Sequence, residues 1–150
     1  MLVSFVIAVY RNEGALAKTY EKISGLFNYE LGNHDYEVIF IDDGSDDGSL
    51  AEILELRKQD DRVKAISFTR NFGQMAAMLA GFNEARGDAV VNISADLQDP
   101  IELIPEMVEK WQQGAELVIC HRSNRTDPIV AKIFSRLAYS LLRVALPKIP

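Results

Sequence analysis

Residues 36–49 read Tyr36-Glu37-Val38-Ile39-Phe40-Ile41-Asp42-Asp43-Gly44-Ser45-Asp46-Asp47-Gly48-Ser49. An apolar, β-branched run stops abruptly at two acids and a glycine turn, which is how a buried strand ends at a polar rim. Similar short runs occur at 2–9, 62–67, 88–93 and 116–121. Between them the apolar residues take helical spacing: Ile53, Leu54 and Leu56; then Met75, Met78, Leu79 and Phe82; then Leu103, Ile104, Met107, Val108 and Trp111. Asp99-Pro100-Ile101-Glu102 carries a cap, a proline and an early acid, the signature of a helix start, and Asp127-Pro128 repeats its beginning. Gly87 and Gly114 stand where helices should stop. Five strands alternating with helices predict an α/β fold: a doubly wound, mostly parallel sheet with helices on both faces.

Composition narrows the class. The chain has 150 residues, 48% hydrophobic and 25% charged, enough to bury roughly two-thirds of its unfolded surface as one globular domain. The lone Cys120 forms no intrachain disulfide, so a reducing compartment is expected, with the thiol a small buried hydrophobe. The opening Leu2–Val9 run has no basic residue before it and meets Arg11-Asn12-Glu13 at once, so it reads as a strand rather than a leader. No apolar run approaches the roughly 18 residues that a membrane span needs.

Charge is uneven. The whole chain carries 16 basic and 22 acidic residues, net −6. Residues 121–150 hold six basic residues and one acid, leaving 10 basic and 21 acidic in the first 120. An acidic body argues against nucleic-acid binding, which relies on cationic surface. From Asp127 onward, Val130, Ile133, Phe134, Leu137, Leu141 and Leu142 follow helical spacing among Lys132, Arg136 and Arg143. Residues 127–150 are therefore read as an amphipathic basic helix, suited either to an anionic membrane surface or to packing in a core. Residues 1–126 are read as the ligand-binding part.

Ligands of such sheets sit outside the carboxyl ends of the strands. The unusual polar residues gather there: Tyr10-Arg11-Asn12-Glu13, Asp42 to Ser49, Thr69-Arg70-Asn71-Phe72-Gly73, Ser94 to Asp99, and Arg122-Ser123-Asn124-Arg125. Glu13, Asp42, Asp43, Asp96 and Asp99 converging in one cleft would recruit a divalent cation, and the cation would admit a nucleoside diphosphate. Arg70, Arg122 and Arg125 would add phosphate contacts. Plainer roles are expected at some positions. Asp99 reads as a helix cap, Ser45 and Asp46 as caps of the helix after the second strand, and Asp47 as a solvated first-turn acid. Asn71 and Gly73 serve equally as a turn; Met75 and Met78 read as core; His34 lies in a polar loop.

Four segments also carry a resemblance. Val9-Tyr10-Arg11-Asn12-Glu13, Ile41 to Ser49, Arg70-Asn71-Phe72-Gly73-Gln74, and Ala85-Arg86-Gly87-Asp88 through Ala95-Asp96-Leu97-Gln98-Asp99-Pro100 occur in order and at familiar spacing. Together they resemble family 2 glycosyltransferases of the GT-A fold, within the branch of dolichyl-phosphate mannosyltransferase and the undecaprenyl-phosphate glycosyltransferases. The resemblance implies that Val9, Tyr10 and Glu13 line the base and ribose and that Asp42 contacts the base. It implies that Ser94 and Asp96 serve the nucleotide, with Asp96 and Gln98 on the side of a Mg²⁺ or Mn²⁺ ion. Arg70, Arg122 and Arg125 would meet diphosphate or a lipid phosphate. Ser94 stands where the family usually has the first Asp of Asp-x-Asp and brings no charge; Ala8 replaces a frequent proline. The implied reaction moves a sugar from a UDP- or GDP-linked donor to polyprenyl phosphate with inversion, at the cytoplasmic face of a membrane. Because the family's catalytic base is expected beyond Pro150, the chain reads as a donor-binding part that transfers little alone. The alternative is a non-catalytic nucleotide-sugar-binding or membrane-docking module. An NAD-binding domain is disfavoured, since Tyr10-Arg11-Asn12-Glu13-Gly14 lacks the repeated glycines of a pyrophosphate turn. A receiver domain would carry its acid pair after the first strand instead of the second.

Overall fold

A computed structural model describes residues 1–121. Arg122, Arg125 and the expected helix from residue 127 lie outside the described residues, as does the expected boundary at 126. Met1–Leu117 form one unit, and residues from Val118 belong to a second. In chain order the elements are β1 (Leu2–Val9), α1 (Leu16–Tyr29), β2 (Asp35–Asp42), α2 (Ser49–Gln59), β3 (Val63–Ser67), α3 (Gln74–Glu84), β4 (Ala89–Asn92), a 3₁₀ turn (Ile101–Leu103) and α4 (Ile104–Gln112). The strands form a parallel sheet of order β3-β2-β1-β4.

Parallel strands covered on both faces need apolar residues at every position, which is why they read as continuous runs. Val3, Phe5, Ile7 and Val9 of β1 pack with Val38 and Phe40 of β2 against Leu16, Ile23, Phe27, Ile53, Ile104 and Val108, so α1, α2 and α4 share one face. Val6, Ile39 and Ile41 point to the other face, against Ala77 of α3. Gly81 lets α3 settle closely there: a Cβ at Gly81 would lie 2.4 Å from Val6 Cγ1 and 2.7 Å from Ile41 Cδ1.

That close approach also corrects an expectation. Small residues face the sheet from α3, so the large ones turn away: Met75 is 68% exposed and Leu79 58%, while Met78 is half-buried. Met75 is therefore not core. Gly114 does end α4, at φ +103, with its N–H bonded to Trp111 O and that of Ala115 to Lys110 O. Gly87 has a different role. It passes so close to β1 that a Cβ would meet Ser4 Oγ at 2.6 Å and Ser4 N at 2.7 Å. The expected fifth strand is absent, since residues 116–121 carry no strand. Leu117 and Ile119 are exposed, as is Cys120.

Two polar clusters fix the end of the sheet away from the rim. Glu37, buried at the start of β2, accepts from Ser4 Oγ at 2.6 Å and Arg86 N at 2.7 Å and pairs with Lys64 at 2.6 Å. Burial raises its carboxyl, but the bonds from Lys64, Ser4 and Arg86 outweigh burial and hold it below its usual range. Asp60, after α2, takes Arg62 in a forked pair, with Nε to Oδ1 at 2.9 Å, and accepts from Tyr20 OH. The same guanidinium lies 4.3 Å from the Tyr36 ring centre. The bonds from Arg62 hold the Asp60 carboxyl far below the ordinary carboxylate range despite its burial.

A depressed folded-state pKa stabilises above the unfolded value and is lost as pH falls toward the folded one. Asp60→Asn should cost about 1–3 kcal/mol at pH 7 by urea unfolding, and its difference from wild type should shrink below about pH 4. A difference that stays constant with pH contradicts the role of charge. Gly81→Ala should lower the urea midpoint, because overpacking costs about 1–3 kcal/mol against a helix gain of about 1 kcal/mol. A raised midpoint would mean that Val6 and Ile41 yield freely.

Candidate functional site

All four strands run parallel, so their carboxyl ends share one rim. The chain lays β2 and β3 to one side of β1, then crosses back to place β4 on the other. Strand order therefore reverses at β1, and the crevice that this topology opens lies at its tip.

The loop after β1 is held by side chains from the segment after β2. Arg11 N donates to Ser45 Oγ at 3.1 Å, Asn12 N to Ser49 Oγ at 2.8 Å, and Glu13 N to Asp47 Oδ2 at 3.3 Å. Glu52 takes Gly14 N at 2.7 Å and Ala17 N at 2.8 Å, capping α1 from another helix. Glu13 returns the contact by accepting Gly48 N at 3.0 Å. Arg11 sits at φ +55, a strained conformation for an L-residue, and its guanidinium grips Asp46 at 2.6 Å. That bond holds the exposed Asp46 carboxyl below its usual range.

These bonds revise two expectations. Ser45 and Asp46 do not cap α2, whose N-cap is Gly48 without a side-chain cap; they reach across to Arg11 instead. Asp47 is more than a solvated acid, since it also takes Ser49 N at 3.0 Å, and its bonds to Ser49 lower its carboxyl pKa.

The two acids ending β2 divide their work. Asp42, 1% exposed, takes Ser45 N at 3.3 Å and Ser67 Oγ at 3.4 Å. Asp43, 3% exposed, takes Phe72 N at 2.7 Å and Gly73 N at 2.9 Å, while its own N–H bonds Val9 O at 2.8 Å. Beside it opens a cavity of about 310 Å³, lined by Val9, Tyr10, Asn12, Asp43, Asn71 and Gly73 among others. Of the residues expected at base and ribose, Val9 and Tyr10 line this cavity. Glu13 and Asp42 do not: the first is turned to Gly48 and the second lies buried behind the wall. Asn12, named in the sequence among the rim residues but given no ligand role, lines it as well.

The loop after β4 closes on itself. Ser94 N donates to Asp99 Oδ2 at 2.7 Å, and Asp99 N donates to Ser94 Oγ at 3.3 Å. Asp99 is thus a loop clasp, and the 3₁₀ turn that follows has no side-chain cap. Asp96 is exposed and accepts from Gln98 Nε2 at 2.6 Å, across Leu97 at φ +61. Thr19 Oγ1 of α1 anchors this loop at Ala95 O, 2.8 Å away. With β1 between them, and with β4 ending level with Val6 while β2 ends level with Val9, the β2 and β4 tips stand roughly 14 Å apart. The five acids therefore do not converge. Among the described residues no group of three His, Cys, Asp or Glu side chains could hold a metal. Asp96 with Gln98 still offers hard oxygen donors of the kind that Mg²⁺ or Mn²⁺ takes alongside phosphates. Arg70, exposed at the rim, stacks 4.6 Å from the centre of the Phe72 ring, which Phe68 meets edge-on at 5.6 Å.

The chain is 41% identical over 151 residues to the bactoprenol glucosyl transferase of Shigella phage SfV, covering 99% of this chain and 48% of that protein. It is 35% identical over 144 residues to the undecaprenyl-phosphate 4-deoxy-4-formamido-L-arabinose transferase of Photorhabdus laumondii, covering 95% and 44%. The chain thus spans about half the length of the curated relatives it matches. Among solved structures, S. aureus TarS 1–349 in complex with UDP-GlcNAc superposes with a TM-score of 0.61 at 15% identity, covering 85% of this chain and 39% of that one, a likeness of fold. Residues 4–144 match the model for glycosyl transferase family 2, and the chain belongs to that family.

Proposed function

We propose that this chain is the donor-binding part of a glycosyltransferase that passes a sugar from a UDP- or GDP-linked donor to polyprenyl phosphate, with inversion. The observation that carries this reading is the cavity of about 310 Å³ at the tip of β1, where strand order reverses. Its mixed wall suits a nucleoside: Val9 and Tyr10 give apolar surface, while Asn12, Asn71 and backbone around Gly73 give hydrogen-bonding groups. The relatives, a bactoprenol glucosyl transferase and an undecaprenyl-phosphate transferase, support a polyprenyl phosphate acceptor.

In this reading the nucleoside enters the cavity and the diphosphate extends across the β1 tip toward Asp96 and Gln98. A Mg²⁺ or Mn²⁺ ion held there would supply Lewis acidity to the leaving diphosphate. Ser94 contributes no charge, being a neutral hydroxyl, and its Oγ and N–H are engaged with Asp99. One loop carboxylate plus the phosphates then sets the cation affinity, which makes it dependent on the nucleotide. Arg70 stands at the rim with no acidic partner among the described residues and is available for phosphate. Arg122 and Arg125 are proposed to do the same. The basic segment 127–150 is proposed to meet the cytoplasmic face of a membrane; no described helix is long and apolar enough to cross one.

Calorimetric titration with UDP and GDP should give binding to one of them that Mn²⁺ strengthens. Asp96→Ala should remove about tenfold of affinity in the presence of the cation and leave cation-free binding unchanged. No nucleotide heat under any of these conditions rejects the reading, and an unaltered Asp96→Ala titration rejects the cation site.

A further inference from the structure

We propose that Asp43 is a positioning residue that sets the Arg70–Gln74 wall of the cavity by holding Phe72 and Gly73 where the chain enters α3; this rests on the reading of that cavity as the nucleotide site. A helix leaves the N–H groups of its first turn without internal partners. α3 has neither a side-chain cap of its own nor an acid in its first turn. Asp43, about 30 residues away in sequence, instead holds the entry to this helix with both oxygens, at the N-cap Gly73 N and at Phe72 N just before it. A carboxylate suits this task because both oxygens accept and neither end competes as a donor.

The same residue also fixes the opposite wall. Its backbone N–H is bonded to Val9 O, so one residue joins the β1 tip to the start of α3, and the cavity opens between them. The following residue tightens the joint. Gly44 takes φ +70 and lies so close to the Arg70–Asn71 peptide that a Cβ there would be 2.4 Å from Arg70 C and 2.7 Å from Asn71 N. With carboxylate on one side and bare backbone on the other, the loop carrying Asn71 and Gly73 has little freedom to move.

Charge is the second consequence. A bare acid in a cavity wall would repel a nucleotide. Here the negative charge lies against the positive end of the α3 dipole and is shared with two N–H groups, so the wall can take an anionic ligand. Asp42 is not equivalent, because its bonds are longer and join β2 to Ser45 and Ser67 rather than to α3.

The test compares Asp43→Asn with the wild-type chain by amide hydrogen exchange and by titration with UDP and GDP. Asparagine keeps the shape but turns an NH₂ toward one of the two N–H groups. Exchange at Phe72 and Gly73 should accelerate about tenfold while the β1 and β2 amides keep their protection, and nucleotide affinity should fall about tenfold. Asp60→Asn, which loosens the far end of the sheet, should leave affinity unchanged and so separates position from stability. Unchanged exchange at Phe72 and Gly73, or accelerated exchange with undiminished affinity, overturns the proposal. Altered base preference with unchanged exchange would make Asp43 a direct ligand contact instead. No binding by the wild-type chain would overturn the nucleotide reading itself and this role with it. Should Asp43→Asn fail to fold, Gly44→Ala carries the test, since it retains the carboxylate and displaces the same wall by contact.

Discussion

Side-chain oxygens of residues 42–52 accept backbone N–H groups from the loops on both sides, and the rest of the rim depends on this. Loops at the tips of a parallel sheet expose N–H groups that no ladder satisfies. Here Ser45, Asp47, Ser49 and Glu52 take those of residues 11–17, and Asp43 takes those of Phe72 and Gly73. Bonds of this kind to a buried carboxylate such as Asp43 are worth about 1.5–3 kcal/mol each, whereas an exposed ion pair such as Arg11–Asp46 adds little. The acidic segment is thus first a scaffold, holding two loops at fixed distance around the β1 tip.

This changes what the acidity of the chain means. A cluster of acids ending one strand suggests a cation cage, since like charges must be neutralised. In the structure they are neutralised by backbone N–H groups, by the helix start at α3 and by Arg11. The loop after β4 keeps Asp96 and Gln98 exposed, and it is there that we propose a cation binds. In the proposed reading one tip of the sheet builds a cavity while the loop after β4, on the other side of β1, meets phosphates and metal.

The sheet was legible because its physics is local. Runs such as Val38-Ile39-Phe40-Ile41 must be apolar throughout to lie between two helix layers, and turn residues mark their ends. Rim residues were legible as a set, because each follows a strand. Their individual duties were not, because a hydrogen-bond partner 30 residues away leaves no trace in local spacing. Asp99 has the pattern of a cap yet clasps Ser94, and Ser45 looks like a cap yet holds Arg11. Met75 shows helical periodicity, but which side of α3 meets the sheet was decided by Ala77 and Gly81, whose small size allows the closest approach. Residues 116–121 carry no strand although their composition suits one, because composition alone does not supply a pairing partner.

The most direct test of the account is to follow the backbone amide resonances of the chain while UDP or GDP is added with Mn²⁺. Shifts concentrated at Val9, Tyr10, Asn12, Asn71, Gly73 and Gln74, and extending to Ser94–Gln98 when the cation is present, are the predicted result. Shifts confined to the opposite end of the sheet, around Glu37, Asp60 and Arg62, would contradict a nucleotide site built on the β1 tip.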